Sequence, residues 1–571
     1  MVSARSGRRR AVVAVAAATL LALALRFAFL GERVFHWDEA RVGYWILQYQ
    51  ASGEYAYRAI VHGPFVFHVN EFLFGLFGTS DFVARAVVAA VGGLFPLSAL
   101  LFRTRLDDVE VAALAGLLAL NPLLVYYSRF MRSDVLVAAF AVTALGLVVR
   151  AMDTRKGGYL VAAGAFLALA FASKENALVY VGMFAGATAL LFDARLFTAR
   201  TRGESWESAA HDQLRWAARG LLAWRRALAG AALAFLAVTV LFYAPRPAFY
   251  DAFGDPSLIP GVLADATWGA WQEFWGTWGV GGVSREQSYV AFLEHAVRTL
   301  GATSLMLSAA AVVGFLAERY VADDPRDLVL FAGYWGVASV VVYPVITDIS
   351  GHWSVTHAVV PLAIPAAVGF RLVVDRGRRA LQSDDRVGVG LAALVLLAAV
   401  AQMGVVTAET SYIMPQDDDN TLVQYGQPAS DMRETLDAVE SVAESHDDGT
   451  DVLFFGDHFH VYGDYDKTEP SGVADTNWFN RLPLPWYLER AGAVTDSTVS
   501  VSDLTNCERS VTDREFESCR APVVIARAGH YGDLNPVLSE RGYESWTYEL
   551  TSRNTIFVVW VDTDAAGYPS S

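Results

Sequence analysis

The chain has 571 residues, 54% of them hydrophobic and 18% charged, with a formal net charge of −16. A mean hydropathy of +0.32 excludes a string of ordinary soluble domains, which could not hide that much apolar surface. Collagen-like, disordered and disulfide-scaffold classes are excluded by the same numbers, and the acidity argues against a nucleic-acid partner. The charge is unevenly placed. Residues 409–571 hold 30 acidic and 10 basic residues, whereas residues 1–408 hold 30 acidic and 34 basic.

Taken in chain order, apolar runs recur from residue 11 to residue 408, and a helix needs roughly 20 such residues to cross the hydrocarbon core. Eleven segments qualify: 11–30, 82–102, 109–127, 133–150, 159–173, 177–192, 227–245, 299–317, 328–347, 357–373 and 387–408. The first follows Arg5, Arg8, Arg9 and Arg10. It is long, contains Arg26 and has no small-residue cleavage site, so it reads as a retained helix rather than a signal peptide. With the N-terminus cytoplasmic, 23 Lys/Arg fall on the inner side and 9 on the outer. That is the bias of the positive-inside rule, and it places residues 409–571 outside the cell. External loops 31–81 and 246–298 are rich in aromatics, including Trp37, Trp45, Trp268, Trp271, Trp275 and Trp278, and are expected to lie along the membrane surface. The stretch 62–78 reads as an interfacial or re-entrant helix, with one further spanning helix, which would invert everything downstream, as the alternative.

The architecture expected is therefore a polytopic α-helical membrane protein, residues 1–408, carrying a C-terminal extracellular α/β or α+β domain, residues 409–571. In that domain Asp431–Glu444 and Asn535–Glu540 read as helices and Val452–Phe455 and Pro522–Ile525 as strands. Tyr543–Leu550 with Thr555–Val561 reads as a hairpin. Its scattered acidity suits a surface facing very high salt. A calcium site at Asp417–Asp419, or around Asp457, Asp464 and Asp466, is the alternative, although the spacing does not match an EF-hand. Cys507 and Cys519, both in this domain, leave a disulfide open.

Four clusters carry possible chemistry. Asp38 and Glu39, in Phe35–Ala40 directly after the first helix, offer a general base, a sugar-orienting pair or a metal ligand set, or else solvated interfacial acids. Tyr126–Asp134 brings Arg129, Arg132 and Asp134 to the same side. The arginines suit phosphate, and they equally suit capping helix ends. Ser173–Asn176 places Lys174 between two apolar runs, either to bind a lipid phosphate with Glu175 as its partner or as a tight turn. The turn 348–357 presents His352 and His357, either to a substrate or as ordinary turn residues. No Walker loop, HExxH or GxSxG motif is present.

These motifs, with His62-Gly63-Pro64 in the interfacial helix and Arg85 opening the second apolar run, resemble the polytopic C-type (GT-C) glycosyltransferases. The resemblance is nearest to the dolichyl-phosphate-mannose-dependent protein mannosyltransferases and the aminoarabinose lipid A transferases. Among them it is similar to the archaeal "flippase activity-associated" branch linked to N-glycosylation, whose external domain carries a segment like Leu484-Pro-Trp-Tyr-Leu488. The chain departs from these relatives at Gly351-His-Trp-Ser354, where they often have Lys-x-Pro-Trp. The resemblance implies a GT-C helical bundle at the cell membrane that takes a sugar from a polyprenyl- or dolichyl-phosphate donor. The acceptor would be a glycan or glycoprotein at the outer face. It implies Asp38 as base, Glu39 orienting a substrate, and Arg129, Arg132 and Lys174 on the lipid phosphate, with Asp134, Glu175, His62 and His352 around it. No obligatory metal or cofactor is expected. The same phosphate site would equally serve a lipid-linked-sugar flippase or accessory protein, while a cell-surface receptor would use the acidic domain.

Overall fold

The computed structural model describes residues 2–59, 62–201, 205–280, 288–347, 349–446, 449–461, 476–505, 521–550 and 555–569. Cys507, Cys519, Asp348, Asp464 and Asp466 lie outside the described residues.

Two compact units are built from interleaved chain segments. The first comprises Met1–Ala28, His62–Val66 and Arg85–Ile413, and the second Phe29–Val61, Phe67–Ala84 and Met414–Ser571. Most of the first external loop thus packs with the C-terminal segment instead of with the long helices.

The first unit is helical. Its opening elements are α1 (Val2–Phe27), α5 (Asp108–Leu120), α6 (Pro122–Tyr127), α7 (Asp134–Thr154), α8 (Gly158–Ser173), α9 (Ala177–Thr201) and α10 (Trp206–Tyr243). Three helices, α2 (Trp37–Ser52), α3 (Pro64–Phe77) and α4 (Asp81–Leu94), lie between α1 and α5. Later come Tyr289–Tyr320, Asp327–Ile346, Thr356–Gln382 and Arg386–Ala408.

Nine helices among the described residues are long and apolar enough to cross a membrane, two fewer than the eleven expected. The run 159–173 is one of the two: α8 is a 16-residue helix. The run 109–127 is the other, because Asn121 and Pro122 break it. Proline cannot donate to the helix ladder, and the Asn121 side chain accepts from the Leu124 N–H at 3.2 Å to start α6 afresh. The amide of Asn121 also donates to the Ser304 hydroxyl at 2.8 Å, and Ser304 is where the helix Tyr289–Tyr320 leaves helical geometry. With 14 residues, α3 is about 21 Å long at 1.5 Å per residue, short of a roughly 30 Å core.

Small residues set the helix crossings. A Cβ on Gly164 of α8 would lie 2.2 Å from the Ala231 carbonyl of α10. A Cβ on Gly314 would lie 2.0 Å from the Pro365 carbonyl, and one on Gly369 would lie 2.1 Å from that of Ala310. Backbones that approach so closely gain dispersion contact that lipid cannot supply. Gly314→Ala is accordingly expected to cost about 1–3 kcal/mol. The measurement is a thermal melt in detergent, and an unchanged midpoint would show that this crossing can relax.

In the second unit five strands form one sheet: β1 (Val452–Phe455), β2 (Thr495–Thr498), β3 (Val523–Arg527), β4 (Tyr543–Leu550) and β5 (Thr555–Asp562). The order is β2-β1-β3-β5-β4, with β1 parallel to β2 and β3, and β5 antiparallel to β3 and β4. One face is covered by a core of Leu453, Phe455, Val524, Leu534, Leu538 and Trp560. The amphipathic helix Met432–Ser445 buries Met432, Leu436, Val439 and Val442.

Candidate functional site: a buried cationic cluster and a capped acidic helix

In the first unit, the chain turns sharply after α6 and restarts at Asp134, the first residue of α7. A carboxylate here is favoured by the positive end of the helix dipole. Asp134 is fully buried. Its Oδ1 lies 3.0 Å from Lys174 Nζ and 3.5 Å from His357 Nε2, and its Oδ2 lies 3.5 Å from Arg132 Nε.

Lys174 is the extended residue that ends α8. Adjacent side chains of an extended segment point to opposite sides, so the acid against Lys174 is Asp134 instead of the expected neighbour Glu175. Glu175 is half-buried in the turn leading to α9. The Lys174 ammonium also sits 4.3 Å from the centre of the Trp353 ring, and the Arg132 guanidinium 5.4 Å from the same ring. Two cations thus share one indole and one carboxylate.

The imidazole of His357 is fixed on both sides. Tyr343 stacks on it at 4.8 Å, and the Tyr180 hydroxyl lies 2.7 Å from Nδ1. A neutral ring meets this pattern, with Nδ1 accepting from Tyr180 and the Nε2–H directed to Asp134. Asp134, Lys174 and Arg132 then make one negative and two positive groups, a formal surplus of one positive charge among these described residues. Burial of an excess charge is costly without an anion nearby. Lys174 retains 15% side-chain exposure, so the surplus is reachable. Beside the cluster is an apolar cleft lined by Phe292, Ala296, Leu300, Val340, Pro344 and, shared with the cluster, Tyr343.

The His62-Gly63-Pro64 motif belongs to the same neighbourhood. Gly63 N donates to the Ser173 carbonyl at 2.9 Å, and a Cβ there would meet the Ala172 carbonyl at 2.4 Å. Only glycine lets this backbone reach the end of α8 beside Lys174. His62 is buried in the same turn.

Arg129 lies against a helix end. Its guanidinium donates to the carbonyls of Leu25, Arg26 and Ala28 at the end of α1. Arg26 in turn donates to Leu118 at 3.2 Å and Ala119 at 3.0 Å, near the end of α5. Each arginine satisfies carbonyls that a helix end leaves open. His352 lies in the short turn before Thr356–Gln382, its Nδ1 2.8 Å from the Thr299 hydroxyl and its ring 4.2 Å from that of His295. Arg85 is fully buried.

The second unit holds Asp38 and Glu39, which have unlike surroundings. His36 caps α2 and Glu39 closes the capping box, accepting from His36 N–H at 3.0 Å and from Arg33 at 3.1 Å. Glu39 is completely buried. Its carboxylate holds the start of its own helix. Asp38 keeps 17% exposure. His36 Nδ1 accepts from Asp38 N–H at 3.0 Å, and Nε2 lies 2.8 Å from the Tyr425 carbonyl. That pattern requires a neutral imidazole protonated on Nε2. The 3.8 Å approach of Asp38 Oδ2 to Nδ1 is therefore not an ion pair. One turn on, Arg41 lies over Phe479 at 4.7 Å. Burial lowers the Arg41 pKa, and the charge of Asp38 works in the opposite direction.

The Leu484–Arg490 helix supports this acidic helix from within the second unit. Trp486 stacks on Phe35 at 4.7 Å, and Tyr487 Oη accepts from Phe35 N–H at 2.8 Å. A Cβ on Gly43 would lie 2.5 Å from the Trp486 ring, so α2 needs glycine there. Asp81 ties the assembly together: it accepts from Trp486, Tyr487, Arg433 and Arg490. Burial pulls the Arg490 pKa down, but Glu440 and Asp81 outweigh it and hold the group above its ordinary value.

The structure thus joins Arg132, Asp134 and Lys174 with His357, and adds Tyr180, Tyr343 and Trp353. Tyr180 and Trp353 have no motif signal, because they meet His357, Lys174 and Arg132 across 177 to 221 positions of sequence. Among the described residues no group of three or more His, Cys, Asp or Glu is placed to hold a metal ion.

Comparison with known proteins places these features in a class. Residues 61–202 match the family model of dolichyl-phosphate-mannose-protein mannosyltransferases, and residues 432–562 match that of the Agl23 flippase-associated protein C-terminal domain. No curated protein sequence matches the chain. The fold is similar to that of ArnT from Cupriavidus metallidurans in the apo state (17% identity, 96% of this chain and 97% of that chain, TM-score 0.52). The same protein bound to undecaprenyl phosphate gives 16% identity, 98% and 99% coverage and a TM-score of 0.51. The Archaeoglobus fulgidus oligosaccharyltransferase in its apo form gives 16% identity, 95% and 75% coverage and a TM-score of 0.49.

The chain is a multi-pass membrane protein of the ArnT-like, GT-C fold. More particularly, residues 61–202, which span the His62, Arg132, Asp134 and Lys174 positions, are similar to the mannosyltransferase family, and residues 432–562 to the flippase-associated C-terminal domain.

Proposed function

We propose that this protein is a glycosyltransferase that moves a sugar from a polyprenyl- or dolichyl-phosphate carrier to a hydroxyl or amide acceptor at the outer membrane face. The observation that carries the reading is the Asp134–Lys174–Arg132 cluster, two cations around one buried carboxylate. A phosphate head group is complementary to that charge. The ArnT structure bound to undecaprenyl phosphate supports the same ligand chemistry.

In this reading Asp38 takes the acceptor proton as the acceptor attacks the anomeric carbon from the face opposite the phosphate. The bond from that carbon to the phosphate oxygen breaks with inversion, and the lipid phosphate departs with the bonding pair. Lys174 and Arg132 stabilise the charge that develops on it. Asp134 fixes the lysine, and His357 fixes Asp134. Glu39 and Arg33 position Asp38 through the helix cap.

The match of residues 432–562 to a flippase-associated domain favours one other reading, in which the same head-group site serves movement of lipid-linked sugar without bond formation. Lys174→Ala and Arg132→Ala in reconstituted vesicles carrying labelled dolichyl-phosphate hexose test the first reading. Loss of one charge-assisted contact is expected to weaken donor binding about 10- to 100-fold and to lower transfer with it. Unchanged binding and transfer in both variants would overturn the phosphate assignment. Labelled donor crossing the bilayer with no glycosylated product would favour the flippase reading.

A further inference from the structure

The second unit has a cleft with no part in the chemistry above. It lies between the start of the helix Met432–Ser445 and the exposed edge strand β4, and its volume is about 430 Å³, within the roughly 300–1,000 Å³ of small-molecule sites. Its lining includes Trp546, Tyr548 and Tyr568, with Asp431, Glu434 and Thr435 opposite. Trp546 and Tyr548 are two residues apart on β4, so they share one sheet face about 7 Å apart.

The aromatic groups are pinned as rings. The Tyr548 hydroxyl is bonded to Thr435, and the Tyr568 hydroxyl donates to Glu544 at 2.9 Å. Trp546 is half-exposed, whereas Tyr548 is buried at the base. Burial, with the charges of Asp431 and Glu434, pushes the Tyr548 pKa up against the opposing bond to Thr435. Both acids are solvent-exposed. Among the described residues no Lys or Arg lines the cleft, so an anionic ligand is disfavoured.

What remains is a ligand with apolar faces to lie on rings and hydroxyls to donate to carboxylates. A small quaternary ammonium would also meet rings and acids, but it requires an enclosing cage, and this cleft is open along one side and far larger. We propose that this cleft is a saccharide-binding site for a short neutral glycan, its sugar rings lying on Trp546 and Tyr568 and its vicinal hydroxyls donating to Asp431 and Glu434. The site goes beyond the transferase reading and needs no donor. It gives the protein a way to hold a glycan chain independently of sugar transfer.

The test is saturation-transfer NMR and titration of the full chain in detergent with neutral trisaccharides of mannose, glucose or galactose, and with tetramethylammonium as a competitor. Saturable binding of at least one trisaccharide is expected. It should weaken about tenfold or more in Trp546→Ala and in the Asp431→Asn, Glu434→Gln double variant. Trp546→Phe keeps a stacking face and is expected to bind within about threefold of the original, which separates ring loss from misfolding. The same titration on Lys174→Ala is expected to be unchanged, so failure of the transferase reading would leave this result standing. Absence of saturable binding, equal binding by Trp546→Ala, or displacement by tetramethylammonium at equal concentration would each overturn the saccharide assignment.

Discussion

An Asp38→Asn protein is expected to fold, to bind the lipid-phosphate donor normally and to transfer sugar about 10²- to 10⁴-fold more slowly, the range for loss of a general base. The expectation of normal folding comes from the geometry of the α2 cap. The bond to His36 Nδ1 is made by the Asp38 backbone N–H, and the capping carboxylate is Glu39. Neither contact uses the Asp38 carboxylate, so an isosteric amide leaves the helix start intact. Glu39→Gln should do the opposite. It removes the charge facing Arg33, which is itself 7% exposed, and breaking a buried ion pair costs about 3–5 kcal/mol. The measurements are turnover with labelled donor and a melting curve for each variant. Full turnover by Asp38→Asn would remove Asp38 as the base. A stable but inactive Glu39→Gln would mean that Glu39 meets substrate directly and that its burial is not maintained during turnover.

This contrast also marks how far the sequence could be read. Adjacent acids in Phe35–Ala40 draw attention as a pair, yet one is solvent-accessible and the other completes a helix cap. The capping-box spacing is present between His36 and Glu39, but histidine is not among the usual cap residues, so the pattern carries no signal. Long apolar runs are legible because hydrocarbon thickness imposes a length, and nine of eleven runs form helices long enough to cross. The 109–127 run failed for a local reason, the Asn121-Pro122 break.

In the C-terminal segment, β1, β3 and the hairpin β4–β5 follow apolar or alternating patterns. The edge strand β2, Thr495–Thr498, is Thr-Asp-Ser-Thr and has no apolar side to show. The cluster around Asp134 lies beyond local pattern altogether. Arg132 and Asp134 are near neighbours, but Lys174, Tyr343, Trp353 and His357 reach them only after α7, α8 and the later helices pack. The pairing of Lys174 with Glu175 is the natural guess at sequence level, and the extended geometry at the end of α8 overrules it.

Replacing Asp134 by Asn should produce the largest loss of stability among the cluster variants, and lipid phosphate should partly restore it. The side chain is fully buried and faces Lys174, Arg132 and a neutral His357. Asn has the same shape, so packing is preserved while two cations lose the charge of the carboxylate they share. Breaking a buried pair in this way costs about 3–5 kcal/mol. An anion that binds only the folded protein repays part of that cost by mass action, about 2.7 kcal/mol at a hundred times its dissociation constant. The variant should therefore melt well below the original in detergent alone and recover more than the original does on adding dolichyl phosphate. Lys174→Ala should show the opposite response, with a smaller rescue than the original, because the principal phosphate donor is gone. Equal rescue of all three proteins would mean that the lipid phosphate binds away from Asp134, Lys174 and Arg132. No rescue of Asp134→Asn, with donor binding intact, would mean that the aspartate orders the lysine more than it balances its charge. The two responses separate the electrostatic role of Asp134 from its geometric one, which the 3.0 Å contact to Lys174 combines in a single bond.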